Sequence, residues 1–293
     1  MTGRVIVVGS VNIDLVITVP SLPAAGETVI GGRFTQHHGG KGGNQAVAAV
    51  RLGAPTSLVG AVGDDDFGRA ARSALDEERI DTSEVRTLPD AATGVAFILV
   101  DALGENSISV AGGANAALRP EHVTGSLARL GPRPGDVVLV GHEIPTDAAA
   151  AALRAARDAG ATTILNPAPA AGLDAAAVAL ADIVTPNEGE LATLGEAGIE
   201  PERLLVSLGA QGADLRTPAG AVRIDALRVH AVDTVGAGDT LNGALAAALA
   251  AGKGLEEAAR RAVAAASLAV TRSGAREGMP TAAELGSALL PTD

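Results

Sequence analysis

Short runs of β-branched and aliphatic residues alternate along the chain with longer stretches in which Ala and Leu are interrupted by Arg, Asp and Glu. The continuous apolar runs at residues 5–8, 56–59, 137–140, 162–165, 183–185 and 204–207 read as strands. The stretches at 44–52, 69–78, 148–159, 188–194 and 240–251 have the spacing of helices that bury one face. Strands without polar alternation need cover on both faces, and parallel neighbours need a crossover of helical length. The pattern therefore predicts an α/β fold around a mostly parallel, doubly covered sheet.

Two regions depart from that rhythm. Residues 15–19 and 28–35 alternate in the strand manner around a proline-containing turn at 20–23, and 94–100 and 107–110 flank Ala102-Leu103-Gly104-Glu105 as a hairpin. No helix separates the members of either pair, so a small antiparallel sheet standing apart from the main one is expected. With its pieces scattered in sequence, it reads as a lid built from about residues 13–37 and 93–111 of a single domain covering 1–293.

Composition narrows the picture. With 47% hydrophobic and 19% charged residues, the 293-residue chain has the material for a sizeable core. It has no Trp, no Tyr and three Phe (Phe34, Phe67, Phe97), so Ala, Val and Leu must do the packing, with thin helices lying close to sheets. A net charge of −12 with no basic run argues against nucleic acid or an anionic membrane as partner. The absence of Cys excludes disulfides, thiolate chemistry and zinc–thiolate sites. No apolar stretch reaches spanning length and the apolar run at 5–8 is too short for a signal peptide, so a cytoplasmic location is expected.

Candidate chemistry gathers in four loops rich in Gly and Asn: residues 9–14, 39–44, 166–169 and 233–240. In an α/β sheet, ligands bind at loops on the carboxyl ends of strands. In the last loop, Gly236 and Gly238 allow close backbone approach, and the following helix points free N–H groups and the positive end of its dipole into the loop. That is an anion hole suited to a phosphate in transfer, with Asp239 at its mouth. Standing alone, Asp239 reads first as a helix cap worth about 1 kcal/mol. Lys41, one of two lysines, sits among four glycines where little shields it from a ligand; the other, Lys253, lies in a Gly-flanked turn and is expected to be solvated. Asn12, Asn44, Asn166 and Asn187 lie in or beside the suspected ligand end, where amides that donate and accept suit a polyhydroxylated ligand. Each alone is ordinarily a turn or cap residue; their joint placement carries the reading.

Other chemistries lack their marks. No Gly-x-x-x-x-Gly-Lys-Ser/Thr, no Gly-x-Ser-x-Gly and no Gly-x-Gly-x-x-Gly after the first strand is present. The histidines at 37, 38, 122, 142 and 230 lack metal-ligand spacing; His37 and His38 read as solvated loop residues. Glu143, following His142 after a strand, is a candidate acceptor for hydroxyl groups.

Taken together, the motifs resemble the ribokinase-like carbohydrate kinase family. They are Gly39-Gly-Lys-Gly-Gly-Asn-Gln-Ala-Val-Ala-Ala49 and Asp233-Thr-Val-Gly-Ala-Gly-Asp-Thr-Leu-Asn-Gly243, with Asn166-Pro-Ala-Pro-Ala170, Thr185-Pro-Asn-Glu188 followed by Glu190, and Ser207-Leu-Gly-Ala-Gln-Gly212 between them in family order. The resemblance spans nearly the whole chain. It implies a three-layer α/β/α sandwich with a mostly parallel central sheet and a small antiparallel β lid that clasps a second subunit, hence a homodimer. It implies transfer of the γ-phosphate of ATP to a sugar hydroxyl, and Asn-Pro-Ala-Pro favours members acting on the primary hydroxyl of D-ribose over those acting on fructose, deoxyribose or a nucleoside such as adenosine.

The implied roles are specific. Asn12, Asp14, Gly40, Lys41, Gly42, Asn44 and Glu143 would hold the sugar, and Asp239 would take the proton of the attacking hydroxyl. Gly236 and the amides of Ala237, Gly238 and Asp239 would face the transferring phosphoryl group. Asn187, Ser207, Gly209, Gly212 and Gly238 would line the ATP site, and Glu190 would organise Mg²⁺. A monovalent cation, K⁺, would be held by Asp233 and the carbonyls of Val235, Ala269, Arg272 and Gly274. Where many relatives have Ser near the end of that loop, this chain has Gly278.

Overall fold

The four residues of the first strand, Val5 to Val8, are all fully buried. Side chains alternate across a sheet, so Val5 and Val7 enter one apolar core while Ile6 and Val8 enter another. A strand buried on both faces implies helices on both faces, and the computed structural model, which describes residues 3–290, has that arrangement.

In chain order the strands are β1 (Val5–Val8), β2 (Asn12–Thr18), β3 (Arg33–Gly39), β4 (Thr56–Gly63), β5 (Val85–Leu88), β6 (Gly94–Val100), β7 (Asn106–Ala111), β8 (Val137–Gly141), β9 (Thr162–Asn166), β10 (Ile183–Val184), β11 (Leu204–Ser207), β12 (Ala213–Thr217) and β13 (Gly220–Ile224). The helices are α1 (Lys41–Arg51), α2 (Asp66–Glu77), α3 (Pro120–Leu130), α4 (Thr146–Asp158), α5 (Ala175–Val178), α6 (Glu188–Glu196), α7 (Ala237–Ala250), α8 (Leu255–Ala269), α9 (Ala275–Gly278) and α10 (Ala282–Ala288).

Nine strands form the main sheet in the order β13-β12-β11-β10-β9-β8-β1-β4-β5. It is parallel from β5 to β11 and antiparallel only where β12 and β13 close one edge. Residues of α1, α7 and α8 pack in one core, and those of α3, α4, α5 and α6 in the other. The Ala-rich composition shows its use on the first side. A Cβ on Gly243 would meet Ala48 Cβ and Gln45 O at 2.5 Å each, so α7 crosses α1 almost backbone to backbone. Gly243 lies one turn beyond Asp239 on the same helix, and this close crossing sets Asp239 against the first turn of α1.

The second sheet has the order β3-β2-β6-β7. Its two outer pairings are antiparallel, and the two pairs join through a parallel pairing of β2 with β6. The strand expected over residues 28–35 lies later, at Arg33–Gly39. Gly31, at φ 100°, and Gly32 interrupt the alternation, and the His37–Gly39 end pairs with Asn12–Asp14 instead. That shift carries Asn12 and Asp14 out of the loop assigned to them and into a strand.

Candidate active site

The carboxyl ends of β1 and β8 and the start of α1 converge under the small sheet. Gly9 and Gly42 touch through their backbones: a Cβ on Gly42 would lie 2.6 Å from the Gly9 carbonyl carbon. Gly40, at φ 82°, precedes the helix, and Lys41 to Gly43 form its first turn rather than a free loop. The Lys41 N–H donates to Glu143 Oε2 at 3.0 Å, and the Ser10 hydroxyl donates to the same oxygen at 2.5 Å. A carboxylate at the positive end of a helix is favoured by the dipole. Glu143 is thereby held in place after β8.

Asp239 is 8% exposed, in the first turn of α7. Each of its oxygens accepts one side-chain hydrogen bond, Oδ2 from Asn44 Nδ2 at 3.0 Å and Oδ1 from Gln45 Nε2 at 3.2 Å. Burial pushes its carboxyl above the usual range, while Lys41 and the two amide donors pull in the opposite direction. Gln45 Nε2 also donates to Asn166 Oδ1 at 3.0 Å, and Asn166 Nδ2 donates to Thr185 O at 3.2 Å, which ties the loop after β9 to the same network. Asp239 does not cap its helix; Gly236, in the left-handed region at φ 78°, occupies that position. Ala237 N–H turns back to Thr234 O at 3.3 Å, whereas the amides of Gly238 and Asp239 have no hydrogen-bond partner among the described residues. A Cβ on Gly238 would meet nothing within 4 Å, so open space lies in front of this turn.

The acceptor side is equally ordered. Asn12 Oδ1 accepts from Asn115 Nδ2 at 2.7 Å, and Asn115 also bonds both backbone groups of Val11, N–H at 2.9 Å and C=O at 3.1 Å. Asp14 has no hydrogen-bond donor among the described residues, and its carboxylate fills the space over Gly39, where a Cβ would fall 2.2 Å from it. Burial, then Glu143 and Asp239, raise its pKa to about 6 against the pull of Arg276 and His37. Lys41 forms no ion pair within 4.0 Å among the described residues. Burial works against its charge, but Asp239, Glu143, Glu190 and Asp14 together raise its pKa. A cation ringed by carboxylates with none in contact is poised for an incoming anion.

Three further residues belong to this network: Gln45 lies inside the Gly39–Ala49 motif, whereas Asn115 and Arg276 carry no local signature. Arg276, on α9, is 8% exposed and donates through Nε to Asn44 Oδ1 at 2.9 Å and through Nη2 to Gly39 O at 3.2 Å. The histidines also differ from expectation. His37 and His38 are partly buried on β3 rather than solvated in a loop, with His37 in register with Asp14 and on the same face. His142 is buried, bonded to Pro169 O at 2.7 Å and Thr146 Oγ1 at 2.8 Å, and acts as scaffold for the loop after β9. Lys253 pairs with Glu257 at 2.9 Å on a solvated turn.

At the neighbouring strand ends, Asn187 and Glu190 cap α6 reciprocally: Asn187 Oδ1 accepts from Glu190 N at 2.8 Å, and Glu190 Oε2 from Asn187 N at 2.9 Å. Burial raises the Glu190 pKa, against the Asn187 amide and Lys41. Ser207 ends β11 beside Asn187, and a tight turn over Gly209–Gln211 follows. Gly212, at φ 91°, closes that turn against β13; a Cβ there would lie 2.0 Å from Ile224 O.

Below the α7 turn, Asp233 accepts from Val235 N at 3.0 Å and Gly274 N at 2.9 Å, drawing its own loop against the segment after α8. The carbonyls of Val235, Ala269 and Arg272 accept no backbone hydrogen bond among the described residues, whereas Gly274 O takes the Gly278 N–H at 3.1 Å. Free carbonyls beside a carboxylate and a helix carboxyl end suit a monovalent cation. A Cβ on Gly278 would fall 2.4 Å from Ala269 O, so that carbonyl occupies the room a serine side chain needs. Among the described residues no group of three or more His, Asp and Glu side chains is placed to hold a metal by itself. Mg²⁺ held by one or two carboxylates plus nucleotide phosphates remains compatible with that donor set.

The model of the pfkB family carbohydrate kinases matches residues 2–282 of this chain. The ribokinase of Bacillus subtilis (strain 168) is 40% identical over 289 residues, covering 96% of this chain and 98% of that protein. Among solved structures, the Thermotoga maritima ribokinase superposes with a TM-score of 0.87 at 33% identity, covering 98% of this chain and 99% of that one. The Arabidopsis thaliana ribokinase complexed with ribose and ATP gives 0.85 at 31% identity, over the full length of both.

Proposed function

Because the chain belongs to the pfkB family of carbohydrate kinases, we propose that it transfers the γ-phosphate of ATP to the primary hydroxyl of D-ribose, with Asp239 as the base. The observation that carries this reading is the pairing of a fixed carboxylate with two unpartnered amides in one helical turn. The sugar oxygen attacks the γ-phosphorus, its proton passes to Asp239, and the bond from phosphorus to the bridging oxygen of ADP breaks. Burial makes Asp239 a stronger base than a solvated carboxylate. The Gly238 and Asp239 amides donate to the oxygens on which charge gathers, at a helix end whose dipole favours them.

Asp14, Asn12, Asn44 and Glu143 offer acceptors and amide donors to the remaining hydroxyls, and Lys41 offsets the charge of the approaching phosphate. Phosphoryl transfer of this kind uses Mg²⁺ to neutralise nucleotide phosphates; Glu190 Oε1, which has no hydrogen-bond partner among the described residues, suits a water-mediated hold on it. K⁺ held by Asp233 with the Val235, Ala269 and Arg272 carbonyls would order the loop that presents the α7 amides. A nucleoside acceptor is disfavoured, because base recognition draws on aromatic stacking. By register, Phe34 and Phe97 lie on the face of the small sheet opposite Asp14. Phe34 and Phe97 on that face, and Ile108 and Val110 on the other, are each more than half exposed, which supports a second copy of the chain as their cover.

The acceptor assignment is tested by ADP release with ribose, deoxyribose, fructose and adenosine. Ribose is expected to lead in kcat/KM by about tenfold or more, the discrimination that a site bonding each hydroxyl gives. A higher value for adenosine or fructose would overturn it.

A further inference from the structure

Arg276 lies outside every motif that marks the site, yet its guanidinium is among the few buried charges in the molecule. It reaches Asn44, whose other end reaches Asp239, so the three side chains form a line from α9 through α1 to α7. The ends of this line have opposite and fixed polarity. A guanidinium only donates and an ionised carboxylate only accepts. An amide between them has one orientation that satisfies both, with Oδ1 toward Arg276 and Nδ2 toward Asp239. Gln45 is oriented in the same way from the other side, since Asn166 Oδ1 faces it while Asn166 Nδ2 is committed to Thr185 O.

We propose that Arg276 is a positioning residue for the transfer reaction: by donating to Asn44 Oδ1 it keeps the Asn44 amide turned so that Nδ2 stays on the base, Asp239. With Arg276 in place, Asn44 cannot turn its oxygen to Asp239 and stabilise the protonated acid. Both carboxylate oxygens are thereby held as acceptors, ready for the sugar proton. The same short helix is preceded by its cap Gly274, whose N–H donates to Asp233, so the segment that orients Asn44 is also anchored to the loop preceding the α7 amides. The fit around the guanidinium is close: a Cβ on Gly43 would meet Nη2 at 2.6 Å. This inference rests on Asp239 being the base.

The test uses two substitutions of matched length. Gln carries its amide nitrogen the same number of bonds from the backbone as the Nε of Arg, and Met carries a methyl group there. Arg276→Gln retains the donor to Asn44 and loses the charge; Arg276→Met loses both. Initial rates with ribose and ATP, corrected for folded fraction by thermal melts, are taken from pH 5 to 9 beside Asp239→Asn. Arg276→Met is expected to lose about tenfold or more in kcat, with KM for ATP little changed and the acid limb moved to higher pH. Arg276→Gln is expected to stay within about threefold of the parent.

Equal losses in both variants with an unmoved acid limb would mean a charge or scaffold role, and parental turnover in both would mean that Asn44 needs no partner; either overturns the proposal. Should Arg276→Met fail to fold, a fall of more than about tenfold in Arg276→Gln overturns it alone. Parental turnover in Asp239→Asn removes the base itself, which separates failure of that reading from failure of this one.

Discussion

Replacing Asp14 by Asn exchanges stability against function in a way the geometry makes quantitative. The carboxylate has no donor among the described residues, and burial, together with the nearby charges of Glu143 and Asp239, raises its pKa from 3.8 to about 6. The folded protein therefore holds this proton more tightly than the unfolded chain does. The ionised group costs the fold about 3 kcal/mol at pH 8 and about half that at pH 5, and the cost vanishes below about pH 3.8. Asn has nearly the same shape and does not ionise. Asp14→Asn should be more stable than the parent by about these amounts, with the advantage roughly halved between pH 8 and pH 5. Urea titrations of both proteins without substrate, at the two pH values, read the difference directly. The same variant should raise KM for ribose by about 10- to 100-fold, the worth of hydrogen bonds to a charged acceptor. A variant less stable than the parent at pH 8, or a gain independent of pH, would refute the idea that Asp14 waits unpaired for hydroxyl donors.

Two other outcomes are expected. Asn115→Ala, by freeing Asn12 and both polar groups of Val11, should cost about 1–3 kcal/mol of stability and raise KM for ribose more than KM for ATP, which melts and steady-state kinetics would check. Replacing K⁺ by a bulky organic cation should lower kcat, and Asp233→Ala should abolish the difference; equal rates in both salts would remove the cation from the loop at Asp233.

Much of the site was legible because its residues sit in motifs with local cause. Gly40, Gly42 and Gly243 are where backbones must touch, and Asp239 stands three residues after Gly236, which is in the left-handed region. The continuous apolar runs likewise placed six of the seven parallel strands, because complete burial on both faces leaves that signature; β5, with Arg86 and Thr87 exposed, lacks it and was missed. What stayed hidden depends on distant partners. Asn115 acts on Val11 from 104 residues away, and Arg276 on Asn44 from 232 residues away. Each alone is one more loop amide or one more arginine. The β12–β13 hairpin and α8 escaped for a different reason. One is a half-exposed edge with Arg and Asp in its strands, and the other an Ala-rich helix whose apolar face was not separated from its neighbours. His37 looked solvated until register set it beside Asp14.

The most direct test of the central claim is the rate of phosphate transfer from ATP to ribose by Asp239→Asn, measured in a single turnover so that product release does not mask it. Asn preserves the shape and removes the base. A fall of roughly 10²–10⁴ with ATP affinity nearly unchanged is expected. Transfer at close to the parental rate would contradict it.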